Sequence, residues 1–243
     1  MSFELPTNIT NIIQRFKSGS FFVLGRAGMD LYPTPQGTKN KEADLFKSDL
    51  GGSAANIAVS LSMLGSKASL ISCFSNDSIG AFIKNKLKFY RVNIDHCHTI
   101  SGLSKNSLAL AENISHKPNV VIYRNNASDL NLSKKMIEGL DFSEASGLII
   151  TGTALSSEPS RSATHYAIKL SKKNGCPIIL DLDYRKDAWI DNNSVSMEIS
   201  KAVKFSDICV GNLNEFDIVS SMKNISGKVY AKQLSEKQKL IFL

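Results

Sequence analysis

The sequence lacks the features that mark secreted, metal-binding and membrane-spanning chains. Its 243 residues include four widely spaced cysteines and no C-x-x-C pair, which argues against a disulfide framework or a zinc site. The longest apolar runs, such as residues 147–150, are far too short to cross a bilayer. The N-terminal region has no continuous apolar stretch of the secretory type. These absences lead us to expect a cytoplasmic protein with reduced thiols.

A basic stripe interleaved with aromatic residues is also missing, although the formal net charge is +7. Residues 221–243 hold five lysines and one glutamate, a difference of +4, so most of the excess lies in this tail. We therefore expect neither a nucleic-acid partner nor a membrane partner. A mild positive bias suits an anionic small molecule equally well.

Short β-rich runs alternate along the chain with amphipathic helical stretches. Strands are predicted at residues 20–24, 68–74, 107–111, 119–123, 147–151, 177–182 and 207–211. Helices are predicted at residues 54–64, 78–89, 133–139, 160–173, 195–204 and 213–222. This alternation predicts an α/β fold with a mainly parallel sheet, helices on both faces, and ligands at the carboxyl ends of the strands.

Two segments, 31–50 and 92–124, break the alternation. Each contains short β-prone pieces without a strong helical period. We expect both to leave the main sheet of a single domain spanning residues 1–243 and to form a small β-structure over its ligand edge.

Residues 49–65 read DLGGSAANIAVSLSMLG and place a glycine pair at the start of a predicted helix. Gly51 and Gly52 permit backbone conformations closed to other residues, and a helix start offers unpaired N–H groups. Asn56 can both donate to and accept from a hydroxyl group. The stretch therefore suits a small polar ligand, although a tight turn leading into a well-packed helix is the alternative.

Polar motifs follow the predicted strands in series. They are GRAGMDLY (25–32), SNDSIG (75–80), YRNNASDL (123–130), TGTALSSEPSR (151–161), DLDYRKDAW (181–189) and VGNLNEFD (210–217). Together with GG-x-x-x-N, they resemble the ribokinase/PfkB-type sugar kinase family from about residue 20 to about residue 220. The resemblance implies a ribokinase-like three-layer sandwich with a β-lid, to which segments 31–50 and 92–124 would belong.

The same resemblance implies a transferase that uses ATP and Mg²⁺ to phosphorylate a sugar acid. The expected acceptor is 5-dehydro-2-deoxy-D-gluconate, and the alternatives are 2-keto-3-deoxygluconate or a simple ketose. A dinucleotide-dependent enzyme is disfavoured because no G-x-G-x-x-G follows the first strand. Pairing through the lid is common in the family, so a homodimer is expected.

The family's acceptor-binding residues map onto six positions here. Asp30 would accept hydrogen bonds from substrate hydroxyls, while Gly51, Gly52 and Asn56 would cradle the substrate. Tyr123 and Arg124 would face it from the lid, with the Arg124 guanidinium holding its carboxylate. Two alternatives stay open, a turn-forming Asp30 before Pro33 and an exposed lid arginine.

Four further positions would serve phosphoryl transfer. Asp183 and Arg185 would lie between acceptor and phosphate donor, with the arginine offsetting charge on the transferred group. Asn212 and Glu215 form N-x-x-E, which in the family helps to organise magnesium and phosphate, largely through water. A structural ion pair between Asp183 and Arg185, and a helix cap at Asn212, remain alternatives.

One family motif is missing from these residues. The G-A-G-D stretch, whose aspartate is the family's general base, does not occur, so we expect an incomplete kinase chain that is prone to association. A non-catalytic sugar-acid-binding remnant is therefore the second hypothesis. We further expect the main sheet to end early with an unpaired edge. We expect residues 96–98 (His-Cys-His) to be a surface feature of the lid and not a metal site.

Overall fold

Two β-sheets of unequal size organise the chain in a computed structural model that describes residues 10, 13–14, 19–114, 118–237 and 240–242. The strands are β1 (Ser20–Leu24), β2 (Gly28–Thr34), β3 (Leu45–Gly51), β4 (Lys67–Ser75), β5 (Cys97–Ile100), β6 (Ser107–Ala111), β7 (Val120–Tyr123), β8 (Ala145–Thr151), β9 (Ile178–Asp181), β10 (Ile208–Val210) and β11 (Leu240–Phe242). The helices are α1 (Ser53–Met63), α2 (Ser78–Phe89), α3 (Lys134–Ile137), α4 (Ser160–Lys173), α5 (Asn192–Phe205), α6 (Leu213–Ser220) and α7 (Gly227–Glu236).

The larger sheet has seven strands in the order β11-β10-β9-β8-β1-β4-β5. All the described pairings are parallel, as the continuous apolar runs predicted. From β1 the chain builds outward on one side through β4 and β5, and later on the other side through β8 to β11. Open α/β sheets bind ligands at the carboxyl ends of their strands beside such a change of direction.

Strand β1 shows how the sheet is buried on both faces. Phe22 and Leu24 enter one hydrophobic core, and Phe21 and Val23 enter the other, because successive strand side chains point to opposite faces. Helices α1 and α2 cover the second core, and α4 to α7 cover the first. The predicted three-layer α/β sandwich is therefore confirmed. No helix in the described ranges has the length and apolar character needed to cross a membrane.

The smaller sheet, called the lid sheet below, has the order β3-β2-β6-β7. Strand β2 pairs antiparallel with β3 and parallel with β6, and β6 pairs antiparallel with β7. Three of these strands lie within the segments 31–50 and 92–124 for most of their length, and β2 begins earlier, at Gly28. The lid sheet is thus assembled from pieces that are more than 50 residues apart in the sequence.

Part of segment 92–124 does not belong to the lid. Residues Cys97–Ile100 form β5, which extends the main sheet beside β4. The His96 ring packs edge-on against Phe22 at 5.3 Å between centroids, and the Cys97 thiol donates to the Leu70 carbonyl at 3.2 Å. The expectation that residues 96–98 form a lid surface feature is therefore wrong, because the apolar face of the main sheet recruits them.

Helix α7 and strand β11 were not predicted from the sequence. Helix α7 buries Tyr230, Ala231 and Leu234 in the first core. Strand β11 pairs with β10, so the expected unpaired edge does not lie at β10. In the described part of the chain, β11 is the strand at that side of the sheet, and Phe242 is half exposed there.

Candidate functional site

A cavity of about 730 Å³ opens between the main sheet and the lid sheet. It collects residues from strands that are distant in sequence, at the end of the main sheet where the parallel strands finish. Five of the ten predicted site residues line it, namely Asp30, Gly52, Asn56, Arg124 and Arg185. The other five, Gly51, Tyr123, Asp183, Asn212 and Glu215, lie outside its lining.

Asp30 lines this cavity and has one carboxylate oxygen without a hydrogen-bond donor. Its Oδ2 accepts a hydrogen bond from the Tyr32 hydroxyl at 3.3 Å, whereas its buried Oδ1 receives none from any described residue. Burial raises the pKa of Asp30, and the nearby Arg26 opposes that rise. A buried acceptor without a donor costs free energy. A ligand hydroxyl that donates to the carboxylate would supply a partner that the described residues do not.

The lack of a side chain at Gly51 leaves room for the Asp30 carboxylate. A Cβ atom at Gly51 would lie 1.9 Å from Asp30 Oδ1 and 2.3 Å from Cγ, so a side chain at this position would displace the carboxylate. Gly51 faces Gly28 across the β2–β3 ladder, two residues from the Asp30–Asp49 pair. Gly51 therefore allows Asp30 to adopt its position but does not itself line the cavity.

Gly52 and the first turn of α1 form the floor of the cavity. Gly52 has φ +96°, and a Cβ atom there would lie 2.5 Å from the Arg26 carbonyl oxygen. Only glycine adopts this conformation at so close an approach without strain. Asn56, one turn into α1, is exposed and lines the cavity with an amide that can donate and accept. The bare backbone in GGSAAN thus serves both a tight helix start and a polar floor.

Asp183 lies outside the cavity lining and binds side chains that belong to it. This buried residue adopts a left-handed backbone, with φ +36°. Its Oδ2 accepts from the Ser53 hydroxyl at 2.5 Å and from the Thr153 hydroxyl at 3.0 Å. Its Oδ1 lies 3.0 Å from Arg185 Nη2, which confirms the structural ion pair considered above. Arg185 itself is half exposed and lines the cavity, so the ion pair holds a cation at the cavity wall.

Arg124 lines the cavity, but its guanidinium is already engaged. Its Nη2 forms a short ion pair with Asp129 and donates to the Thr153 carbonyl at 3.2 Å, while Nη1 donates to the Ser156 hydroxyl at 3.2 Å. Only 9% of the side chain is exposed. The alternative of an exposed lid arginine is therefore wrong, and the arginine expected to clamp a carboxylate is instead tied to the protein.

Tyr123 is not brought into the site. It is 60% exposed, whereas its neighbours in β7, Val120 and Ile122, line the cavity. Because strand residues alternate between faces, Tyr123 lies on the face opposite to Ile122. The structure therefore places it on the outer face of the lid sheet.

Asn212 and Glu215 form a complete capping box at the start of α6. Asn212 Oδ1 accepts from the Glu215 N–H at 3.0 Å, and Glu215 Oε2 accepts from the Asn212 N–H at 2.9 Å. The other Glu215 oxygen accepts from the Tyr184 N–H at 3.0 Å. Both carboxylate oxygens of this buried side chain are thus engaged by the backbone, and the cap considered above is present.

The described residues do not form a direct ligand set for a metal. No group of three or more histidine, cysteine, aspartate or glutamate side chains among them is placed to hold an ion. Both carboxylate oxygens of Glu215 accept hydrogen bonds from backbone N–H groups at the start of α6 and at Tyr184.

Sequence reasoning missed one central member of the site, Arg26. Its side chain is 7% exposed and lines the cavity, and its Nη1 donates to the Ser107 hydroxyl at 3.0 Å. The motif GRAGMDLY contains this arginine four residues before Asp30, which is the signal that could have indicated it. Lys186 and Asp187, which also line the cavity, belong to the motif DLDYRKDAW and were likewise not assigned.

Comparison with known sequences places the chain in a family. Residues 19–242 match the model of the pfkB family carbohydrate kinases. The chain is 37% identical over 200 residues to a 5-dehydro-2-deoxygluconokinase from Photobacterium profundum, covering 82% of this chain and 60% of that protein. A protein of the same name from Clostridium tetani is 34% identical over 200 residues, covering 82% and 59%. The chain thus spans about 60% of the length of these curated relatives.

Solved structures show the same fold. Fructokinase with bound ATP from Xylella fastidiosa superposes with a TM-score of 0.80 at 19% identity, covering 93% of this chain and 72% of that one. Fructokinase from Halothermothrix orenii gives a TM-score of 0.76 at 21% identity, covering 92% and 79%. With the cavity beneath a lid sheet and the family match over residues 19–242, these findings establish that the chain belongs to the pfkB family of carbohydrate kinases.

Proposed function

We propose that the chain forms the acceptor-binding part of an ATP-dependent sugar-acid kinase whose acceptor is 5-dehydro-2-deoxy-D-gluconate, an intermediate of inositol degradation. The names of the relatives at 34–37% identity support this acceptor. The observation that carries the proposal is the Asp30 carboxylate, which lines the cavity and has one oxygen, Oδ1, without a donor among the described residues. Another sugar acid, such as 2-keto-3-deoxygluconate, or a ketose is the alternative acceptor.

The lining of the cavity combines apolar and polar side chains, which suits a partly deoxygenated acid. Strands β6 and β7 of the lid sheet contribute Ala109, Ala111, Val120 and Ile122, which offer no side-chain hydrogen bonds. Asp30 on β2 and Asn56 on α1 can together bind several hydroxyl groups. A methylene group would pack against β6 and β7 while the hydroxyl groups meet Asp30 and Asn56. The apolar side chains also exclude water, which strengthens the polar contacts beside them.

In the proposed reaction an acceptor hydroxyl oxygen attacks the γ-phosphorus of ATP, the bond from that phosphorus to the bridging oxygen of ADP breaks, and the hydroxyl proton passes to water. Arg185, held at the cavity wall by Asp183, would offset negative charge on the transferred phosphoryl group. Magnesium would accompany the nucleotide and supply further charge stabilisation. We assign the proton to no residue, because G-A-G-D does not occur in the sequence.

A non-catalytic sugar-acid-binding protein is the second candidate function. It requires only the acceptor site, whose residues Asp30, Gly52 and Asn56 line the cavity. Phosphoryl transfer depends on positioning and on charge stabilisation, so loss of both base and anion-binding amides would reduce turnover severely. Binding of the acceptor would survive, since the Asp30 and Asn56 side chains are part of the described fold.

Ligand-dependent melting and ADP release together test the proposal. We expect the sugar acid to raise the melting temperature, since a ligand that binds only the folded state stabilises it. We expect Asp30→Asn to weaken this effect at least tenfold in ligand concentration. The matched control is Asp49→Asn. Asp49 lies opposite Asp30 in the β2–β3 ladder, but its carboxylate forms an ion pair with Lys86 and is not part of the cavity lining.

The outcomes separate the two candidates. Stabilisation with ADP production above background supports the kinase, and stabilisation without turnover supports the binding protein. If the sugar acid has no effect at millimolar concentration while a ketose stabilises the protein, the proposed acceptor is wrong. If Asp30→Asn behaves like the Asp49→Asn control, the site is wrong.

We also propose a cytoplasmic homodimer that pairs through the outer face of the lid sheet, with neither nucleic acid nor membrane as a partner. The exposed apolar side chains Phe46, Val121 and Tyr123 support the pairing, because exposed apolar patches commonly mark protein interfaces. Sedimentation of the wild type and of a Tyr123→Ser, Val121→Ser variant tests it. A monomeric wild type would count against the pairing.

A further inference from the structure

The charged side chains around the cavity are unequally paired. Arg124 is neutralised by Asp129, and Arg185 by Asp183. Among the residues that the structure describes, Arg26 and Asp30 form no ion pair, although both line the cavity. Asp30 has a role in the function proposed above, whereas Arg26 does not yet have one.

Arg26 is a buried cation with unused donors. Its side chain is 7% exposed, and its one hydrogen bond to another described side chain runs from Nη1 to the Ser107 hydroxyl. A guanidinium carries five N–H donors in a planar fork. Burial lowers the pKa of Arg26, the charges of Asp129, Asp183 and Asp30 oppose this, and the charge of Arg124 adds to the lowering. Asp129 and Asp183 form their ion pairs with other arginines, so the Arg26 guanidinium can still pair with an anionic ligand.

The fold holds this guanidinium at one place. Ser107, which begins β6, fixes Nη1 from the lid sheet. Gly28 leaves room for the contact, because a Cβ atom there would lie 2.6 Å from Ser107 Oγ and 3.4 Å from Arg26 Nη1. The Arg26 carbonyl accepts from the Ala55 N–H at 3.2 Å, which ties the backbone of Arg26 to the first turn of α1. Arg26 is therefore fixed at both the main-chain and the side-chain end.

We propose that Arg26 binds the carboxylate of the acceptor and thereby determines the preference for a sugar acid over a neutral sugar. This inference rests on the function proposed above and moves the acid-binding role from Arg124 to Arg26. The Nη1 and Nη2 groups of Arg124 donate to Ser156, Asp129 and Thr153, so its charge is met within the protein, although its buried Nε has no partner among the described residues. The ligand then bridges Arg26 and Asp30, with its carboxylate on Arg26 and its hydroxyl groups on Asp30.

The test compares 5-dehydro-2-deoxy-D-gluconate with its methyl ester, which keeps the carbon skeleton and loses the negative charge. Calorimetric titration gives the affinity ratio of acid to ester for the wild-type protein and for each variant. We expect Arg26→Gln to lower the acid affinity about 30- to 100-fold while the ester affinity stays within about threefold, because charge-assisted bidentate bonds are the strong ones. The ratio should then fall close to one.

Two further variants keep the result interpretable. Lys67→Gln is the control, since it removes an exposed cation at the start of β4, outside the cavity lining, and it should leave the ratio within about threefold of wild type. Arg26→Lys keeps the charge and loses the fork. It should reduce the acid affinity about tenfold and so provides the measurement if Arg26→Gln does not fold.

Different results overturn different claims. If the wild type prefers the acid and Arg26→Gln, or Arg26→Lys in its place, keeps the wild-type ratio, the assignment of Arg26 is wrong while the proposed function stands. Equal losses for acid and ester would show a structural role only and would also overturn the assignment. If the wild type binds neither acid nor ester, the proposed acceptor fails and takes this inference with it.

Discussion

Replacing Gly51 by alanine should weaken acceptor binding about 10- to 100-fold while leaving the fold intact. The new Cβ atom would lie 1.9 Å from Asp30 Oδ1 and 2.7 Å from Oδ2. These are the end atoms of a rotatable side chain, so Asp30 can turn away and the backbone of β3 can stay in place. The turned carboxylate would leave its place in the lining of the cavity.

The size of the effect follows from the bonds that are lost. A hydrogen bond to a charged group contributes about 1.5–3 kcal/mol, so losing one such bond to Asp30 lowers affinity about 10- to 100-fold. The protein itself loses only the 3.3 Å bond from Tyr32, and alanine reduces the entropy of the unfolded chain. We expect the free energy of unfolding to change by less than about 1 kcal/mol.

Gly52 provides a contrast at the next position. An alanine there would require φ +96° and would place Cβ 2.5 Å from the Arg26 carbonyl oxygen and 2.8 Å from the Ala27 Cα, both backbone atoms. We expect Gly52→Ala to lower the free energy of unfolding by about 2–4 kcal/mol. Gly139→Ala is the neutral control, because no atom lies within 4 Å of its added Cβ.

Urea unfolding and calorimetric titration with the sugar acid measure both quantities for the three variants. The reasoning is refuted if Gly51→Ala binds the acid with wild-type affinity, since Asp30 would then not be the group that the ligand meets. It is also refuted if Gly51→Ala is as unstable as Gly52→Ala, because the clash would then involve the backbone.

Two pH-dependent predictions concern buried carboxylates. Burial, together with the charges of Asp183 and Glu215, raises the pKa of Asp181 to about 6. Ionising Asp181 therefore costs the folded state free energy as the pH rises through that value. Asp181→Asn should raise the free energy of unfolding near pH 7 by about 1–2 kcal/mol, with no gain below pH 3.8. Equal effects at both pH values would contradict this. Burial tends to raise the pKa of Glu198, but hydrogen bonds from Lys201 and His165 outweigh it and hold the pKa below 4.5, so this stabilisation is present at neutral pH and is lost in acid. Glu198→Gln should cost about 1–2 kcal/mol near pH 7 and less below pH 4.5, as thermal melts across pH would show.

The sequence predicted the buried elements better than the lid. Continuous apolar runs such as residues 147–151 can be satisfied only inside a parallel sheet, so their strands are readable from local pattern. Strands β2 and β3 contain Pro33, Lys47 and Asp49, and they form because they pair with each other. Such pairing depends on the tertiary fold, so the local composition of these strands does not predict it.

The candidate site divides in the same way. The motif after β1 and the glycine pair before α1 indicated Asp30 and Asn56, since a strand end and a helix start lie at the same edge of an α/β sheet. The roles of Arg26 and Arg124 could not be predicted from the sequence. Arg124 is taken up by Asp129, and Arg26 meets Ser107 across 81 residues of sequence.

By itself, then, the amino-acid sequence determined the class of fold and the chemistry available at its ligand edge, because apolar periodicity and strand-end motifs are local properties. Only the tertiary structure decided which charges are neutralised within the protein and which remain for a ligand. Ion pairing depends on distances of a few ångströms between side chains from distant segments, and the packing of the lid sheet over the main sheet sets those distances.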